Sequence, residues 1–215
     1  MAAPFYTKLH TNQNAAALGV MAALCTKRDR MNLDNWVNIA REIGCIDEHG
    51  QESSSSDKAR EAIEILLGKD FLKEAVRYYV SGGAGSELLR GVLWQLHPYS
   101  SMEECYRIFK TEEDVQTKRD AVELLRVVAD RRALKWVPEF LAHEDQGIQN
   151  WGIGVIDQLI FSELCDGDEV SSIIQAAKQH ENEHVREKAE YILSMVVANE
   201  ERDNVLQAHY ESKNA

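Results

Sequence analysis

Apolar positions along this chain recur in one arrangement, a small residue followed three and four places later by two bulky ones. It occurs at Ala62 with Ile65 and Leu66, Ala121 with Leu124 and Leu125, Gly152 with Val155 and Ile156, and Ala189 with Ile192 and Leu193. Gly91, followed by Trp94 and then Gln95, is a fifth and weaker copy. Residues three and four apart share a helix face, so the small residue admits a neighbouring helix closely and the bulky pair fills the groove beside it. Successive intervals between these residues are 29, 30, 31 and 37, the length of two helices and two turns. No hairpin of this kind buries its apolar face alone, so the copies are predicted to stack.

Each anchor helix, as we call the helix carrying the small residue, follows a partner helix and a polar turn. The predicted partners span residues 71–80, 102–109, 136–141 and 170–177, and the turns lie at 81–85, 110–114, 143–147 and 179–183. Pro98 follows an anchor helix, and Pro138 falls in the first turn of a partner, where its missing N–H costs nothing. Upstream, Asn12 or Asn14 can cap a helix over residues 15–27, and Trp36, Val37, Ile39, Ala40 and Ile43 form a second helical stripe stopped at Gly44. Trp36, Trp94 and Trp136 are expected in the core. The organisation read from this pattern is an N-terminal helical cap (1–46), a polar Ser-rich loop (47–56), a repeat region (57–199) and a polar C-terminal tail (200–215) expected to fray, all one structural unit.

Several of these positions resemble HEAT-like repeats of the short bacterial type. Leu134, Val137-Pro138, Leu141, Glu144-Asp145, Ile148, Gly152 and Val155-Ile156 stand where that family places its apolar, proline, acidic-turn and small positions. Glu183, Val185-Arg186 and Ala189 match its turn and Val-Arg-x-x-Ala signature. The resemblance covers residues 57–197, is strongest from 102 onward, and departs in its short intervals and in having a single Val-Arg pair. It implies an all-α fold, a right-handed α-solenoid of about four to five helix pairs behind the N-terminal cap. Such solenoids bind proteins, and less often nucleic acid, along a concave face.

Charge narrows the partner. Lys and Arg number 24 against 36 Asp and Glu, a net charge of −12, and residues 1–50 carry five of each sign, so the whole excess follows residue 50. Such a field repels polyanions and attracts basic partners. Four scattered cysteines without a C-x-x-C pair fit a reducing cytoplasm. The longest apolar run, residues 15–25, is too short to span a bilayer, and no secretion signal or membrane association is expected.

The sharpest chemical motif is His180-Glu181-Asn182-Glu183-His184, a literal H-E-x-x-H. On a helix that spacing sets two imidazoles and an activating carboxylate on one metal. Here it aligns with the turn at His143, so no metal is expected, with His180 and His184 kept as weak candidates. The Gly82-Gly83-Ala84-Gly85 loop lacks the lysine of a phosphate-binding loop. No cofactor is expected. Binding residues are predicted on the anchor helices at minus two, plus two and plus five, opposite the packed face. They are Arg119, Glu123 and Arg126, then Asn150, Gly154 and Asp157, then Glu187, Tyr191 and Ser194, with Trp151 beside them as an aromatic anchor. The expected function is non-catalytic: an acidic immunity or inhibitor protein that neutralises a basic partner such as a nuclease toxin. The alternatives are a scaffold or adaptor, and an enzyme, either a zinc hydrolase or a DNA-glycosylase-like solenoid using basic residues at Arg119, Arg126, Arg131 and Arg132.

Overall fold

A computed structural model describes residues 36–214; the predicted helix over 15–27 lies outside them. The chain divides into two compact units, Met1–Ser53 and Ser54–Ala215. In the first, α1 (Trp36–Glu42) turns Ile39 inward, and the following turn closes with a single bridge between Ile46 and Glu52. Trp36, expected in the core, is exposed; side chains lean toward a helix N-terminus, and this is the first residue of its helix.

The second unit is all-helical, and among the described residues no strand interrupts it. Its elements are α2 (Ser56–Leu67), α3 (Lys69–Val80), α4 (Ser86–Leu96), α5 (Tyr99–Thr111), α6 (Val115–Val128), a 3-10 turn (Arg131–Trp136), α7 (Val137–Leu141), α8 (Gln146–Phe161), α9 (Gly167–Ala177) and α10 (Glu183–Asn214). The polar turns supply the helix caps. Asp114 accepts from the Thr117 N–H and Asp145 from Ile148, while Asn182 accepts from His184 and Asp166 forms a capping box with Glu169, satisfying amides left over at each start. Partner and anchor helices pack as pairs, α5 on α6, α7 on α8 and α9 on α10; anchors also touch in succession, α4 on α6, α6 on α8 and α8 on α10.

The repeat's small residues lie where helices meet. Ala121, Gly152 and Ala189 are buried with Leu124, Leu125, Val155, Ile156 and Ile192 beside them. At Gly152 a methyl group would sit 2.5 Å from the Phe140 Cβ, closer than two carbons can approach, so only glycine lets α8 meet α7 this way. Aromatic rings tie partner to partner. Tyr106 stacks on Trp136 with centroids 4.4 Å apart, and Phe109 meets Phe140 edge-on at 4.8 Å, both favourable ring geometries.

The fifth copy is out of register. In α4 the inward positions are Leu89 and Leu93, and a methyl on Gly91 would meet nothing within 4 Å. One residue is about 100° of helix rotation, so placing Leu93 inward carries Trp94 out, where it is 45% exposed. The tail expected to fray continues α10 as helix through Asn214, with Val205, Leu206 and Tyr210 exposed.

Candidate binding face

Anchor helices α6, α8 and α10 carry the predicted binding residues, and the geometry converts most of them into links between neighbouring helices. Glu123 is the centre. Its carboxylate accepts from the Tyr79 hydroxyl at 2.6 Å and from Arg90 at 2.7 Å, lies 3.5 Å from Arg126, and leaves the side chain 14% exposed. Burial alone would raise this carboxyl; the hydrogen bonds from Arg90 and Tyr79 outweigh it and hold it below the ordinary range. Burial and the same carboxylate push the Tyr79 phenol well above its usual value.

The next links run down the row. Arg119 reaches Asp145 at 2.7 Å, Asn182 donates to both Gln149 and Asn150, and Lys188 reaches Asp157 at 3.1 Å. Trp151 is half-buried, its ring 5.1 Å from the Arg126 guanidinium, a cation–π contact. Gly154 makes that possible, since a methyl there would meet Arg126 Cδ at 2.7 Å. Glu123 and Arg119 therefore do not project freely; an anchor helix has neighbours on both sides, and the positions at minus two and plus two face them.

Toward α10 the row opens. Tyr191 is 52% exposed with Lys188 over its ring, and Glu187 is exposed beside it. Among the described residues, Glu187 and Glu190 stand outside the ion pairs, while Ser194 donates to the Tyr191 carbonyl. The turn edge adds exposed Glu112, Glu113, Glu144, Glu181 and Glu183. Arg90, Arg119, Arg126 and Lys188 are thus matched internally, while these carboxylates lie outside the ion pairs. Three of the four residues of the basic patch are engaged in the same way: Arg132 pairs with Asp130 and lies 3.9 Å over the Tyr99 ring, and Arg119 and Arg126 meet Asp145 and Glu123, whereas Arg131 is exposed.

The H-E-x-x-H segment straddles the start of its helix, with His180, Glu181 and Asn182 in the turn before Glu183. His180 Nδ1 accepts from the Asn182 N–H at 3.0 Å, and Nε2 meets the Leu141 carbonyl at 2.9 Å, fixing the Nε2–H tautomer. His184 is exposed in the first turn of α10. His143 repeats the design, its Nδ1 accepting from Asp145 and its carbonyl accepting from Gln149, as the His180 carbonyl accepts from Arg186. Both imidazoles are parts of a turn recurring 37 residues apart. The two buried thiols are poor nucleophiles. Burial, then Glu169 and Asp166, pushes Cys165 up to about 12, and burial holds the fully enclosed Cys105 well above its ordinary value.

Two hollows flank the row. A cleft of about 350 Å³ lies between the α8–α9 turn and α10, lined by Glu163, Asp166, Asp168 and Asp203 over Ile160 and Val196. A shallower apolar groove of about 370 Å³ runs between α7 and α9 past Pro138, Ile173 and His180. Arg90, Tyr79 and Lys188 are absent from the sequence-based prediction because each meets its partner across 31 to 44 residues; the local signal was limited to the Glu123–Arg126 spacing.

The fold defines the chain as an all-helical protein, and among its described residues no helix is long and apolar enough to cross a membrane. Comparison with protein-family models, curated proteins and solved structures returns no match.

Proposed function

We propose that this chain is a non-catalytic acidic binding protein of the immunity or inhibitor kind, which occupies one basic protein partner such as a nuclease toxin. Its helix pairs, in this reading, stack as a right-handed HEAT-like solenoid, supported by the succession of anchor-to-anchor contacts and the recurring histidine turn. One observation carries the functional reading: Arg90, Arg119, Arg126 and Lys188 of the anchor row are paired with its own carboxylates, while Glu187, Glu190 and Tyr191 remain exposed. An acidic rim around an exposed aromatic suits a basic surface, with the ring as contact anchor and the carboxylates steering the encounter.

The test uses a basic protein captured from the native host and then purified. Association with the full chain should slow at least about tenfold between low and roughly physiological salt. Glu187→Lys with Tyr191→Ala should weaken it at every salt concentration. Association that ignores salt, or a variant that binds as tightly as the parent, would sink the reading.

A further inference from the structure

Helix α10 is longer than the seam that holds it. Val185, Ala189, Ile192 and Val196, spaced four, three and four residues apart, are buried in the core where α10 meets α8 and α9. The same alternation runs on through Asn199, Asp203, Leu206, Tyr210 and Lys213. A stripe that repeats every three and a half residues keeps facing one way along a helix and fits a second helix laid beside it. Near Val196 the neighbouring helices give out: Ile160 at the end of α8 and Gly167 at the start of α9 line the acidic cleft together with Asn199 and Asp203. Every described side chain from Glu201 to Lys213 is exposed, Leu206 at 51% and Tyr210 at 68%.

Charges on the uncovered stripe select what fits it. Its apolar pair is bracketed by an acid, Asp203, and a base, Lys213. Among the described residues Lys213 stands outside the ion pairs, and Asp203 makes only a 3.4 Å contact with its neighbour Arg202. In a helix pair related by a two-fold axis, residue i meets j and j meets i. Laid antiparallel, two copies of α10 that set Leu206 on Tyr210 also bring Asp203 to Lys213, because both pairs are centred on residue 208. Two apolar layers then lie in the middle, closed at each end by an opposite-charge layer. Sliding one copy by seven residues would instead press Asp203 on Leu206, and a parallel pair would set Asp203 on Asp203 and Lys213 on Lys213. Charge and spacing thus favour one orientation and one register.

We propose that the C-terminal part of α10 is a self-association surface, on which two copies of this chain pair antiparallel from Asp203 to Lys213. Each incoming Lys213 arrives at the mouth of the acidic cleft, where Asp166 and Asp168 add to Asp203. Four side-chain layers along about 15 Å of helix bury less than the roughly 800 Å² per partner of a standard interface, so the dimer is weak and concentration-dependent. The net charge of −12 on each copy opposes the encounter, but at about 0.15 M salt that repulsion is screened beyond roughly 8 Å. Glu187, Glu190 and Tyr191 lie round the helix from the stripe and stay uncovered in the dimer.

Sedimentation equilibrium of the full chain at about 0.15 M salt, from roughly 5 to 500 µM, measures the association. The mean mass should climb from that of one chain toward that of two. Leu206→Glu should keep the chain monomeric throughout, with its helical circular dichroism unchanged. Lys213→Asp and Asp203→Lys should each weaken the dimer at least about tenfold, since a like-charge contact then forms twice; combined, they should return it to within about threefold of the parent. A chain that stays monomeric at the highest concentration overturns the proposal and leaves the stripe to a helix of another protein. A dimer indifferent to Leu206→Glu, or one that the exchanged charges do not recover, overturns it as well.

Discussion

At the residue scale two glycines in anchor helices have opposite meanings. Both were aligned by the sequence pattern as the small residue of a repeat. A methyl at Gly152 collides with the Phe140 Cβ, whereas one at Gly91 meets open space. Gly152→Ala is therefore expected to lower stability by about 1–3 kcal/mol through overpacking. Gly91→Ala should raise it by about 0.5–1 kcal/mol by removing a helix-interior glycine. Thermal or denaturant unfolding of the two variants checks both signs, and destabilisation by Gly91→Ala would show that the outer face of α4 is in use. The pattern was legible at Gly152 because two bulky neighbours fixed its face. It misled at Gly91, where Trp94 alone stood in for the pair and Leu89 and Leu93 took the inward positions.

Among elements, local chemistry was readable and long-range chemistry was not. The polar turns were read at residues 110–114, 143–147 and 179–183, and the caps Asp114, Asp145 and Asn182 lie within them, short acceptors before an apolar run being what starts a helix. Nothing in sequence spacing announces the bonds that tie one hairpin to another. Glu104 is the clearest case, a carboxylate 2% exposed that accepts from Arg77 of α3 at 2.8 Å and from Arg107 of its own helix at 2.7 Å. Burial would raise this carboxyl, but the Arg107 and Arg77 hydrogen bonds prevail and depress it. A depressed carboxylate contributes stability that is complete above its unfolded pKa and lost as the pH falls through the folded one. Glu104→Gln should thus cost about 1–3 kcal/mol at pH 7, less than a fully enclosed pair because both guanidiniums are half-exposed. The deficit should begin to narrow below about pH 4.5 and close only once the pH has fallen through the depressed folded value, where parent and variant both lack the charge. Denaturant midpoints across pH 3–7 would reveal a deficit that stays constant, which the ion-pair account does not allow.

Over the whole molecule, charge and element order were the most legible properties, because they are sums and periods rather than meetings of distant side chains. The net charge of −12 describes a surface after its internal pairs are made, and the free carboxylates around Tyr191 are part of that excess. What escaped the sequence is how thoroughly the row of anchor helices ties itself together through Arg90, Glu123, Arg119, Asp145, Lys188 and Asp157. Each helix in this row touches helices only a few elements away. The chain therefore closes short loops as it collapses and does not wait for distant segments to find one another, so its topology sets a low kinetic barrier. Refolding followed by the fluorescence of Trp136 and Trp151 should finish mainly within about ten milliseconds. A dominant phase lasting seconds would mean that contacts remote in sequence control the search.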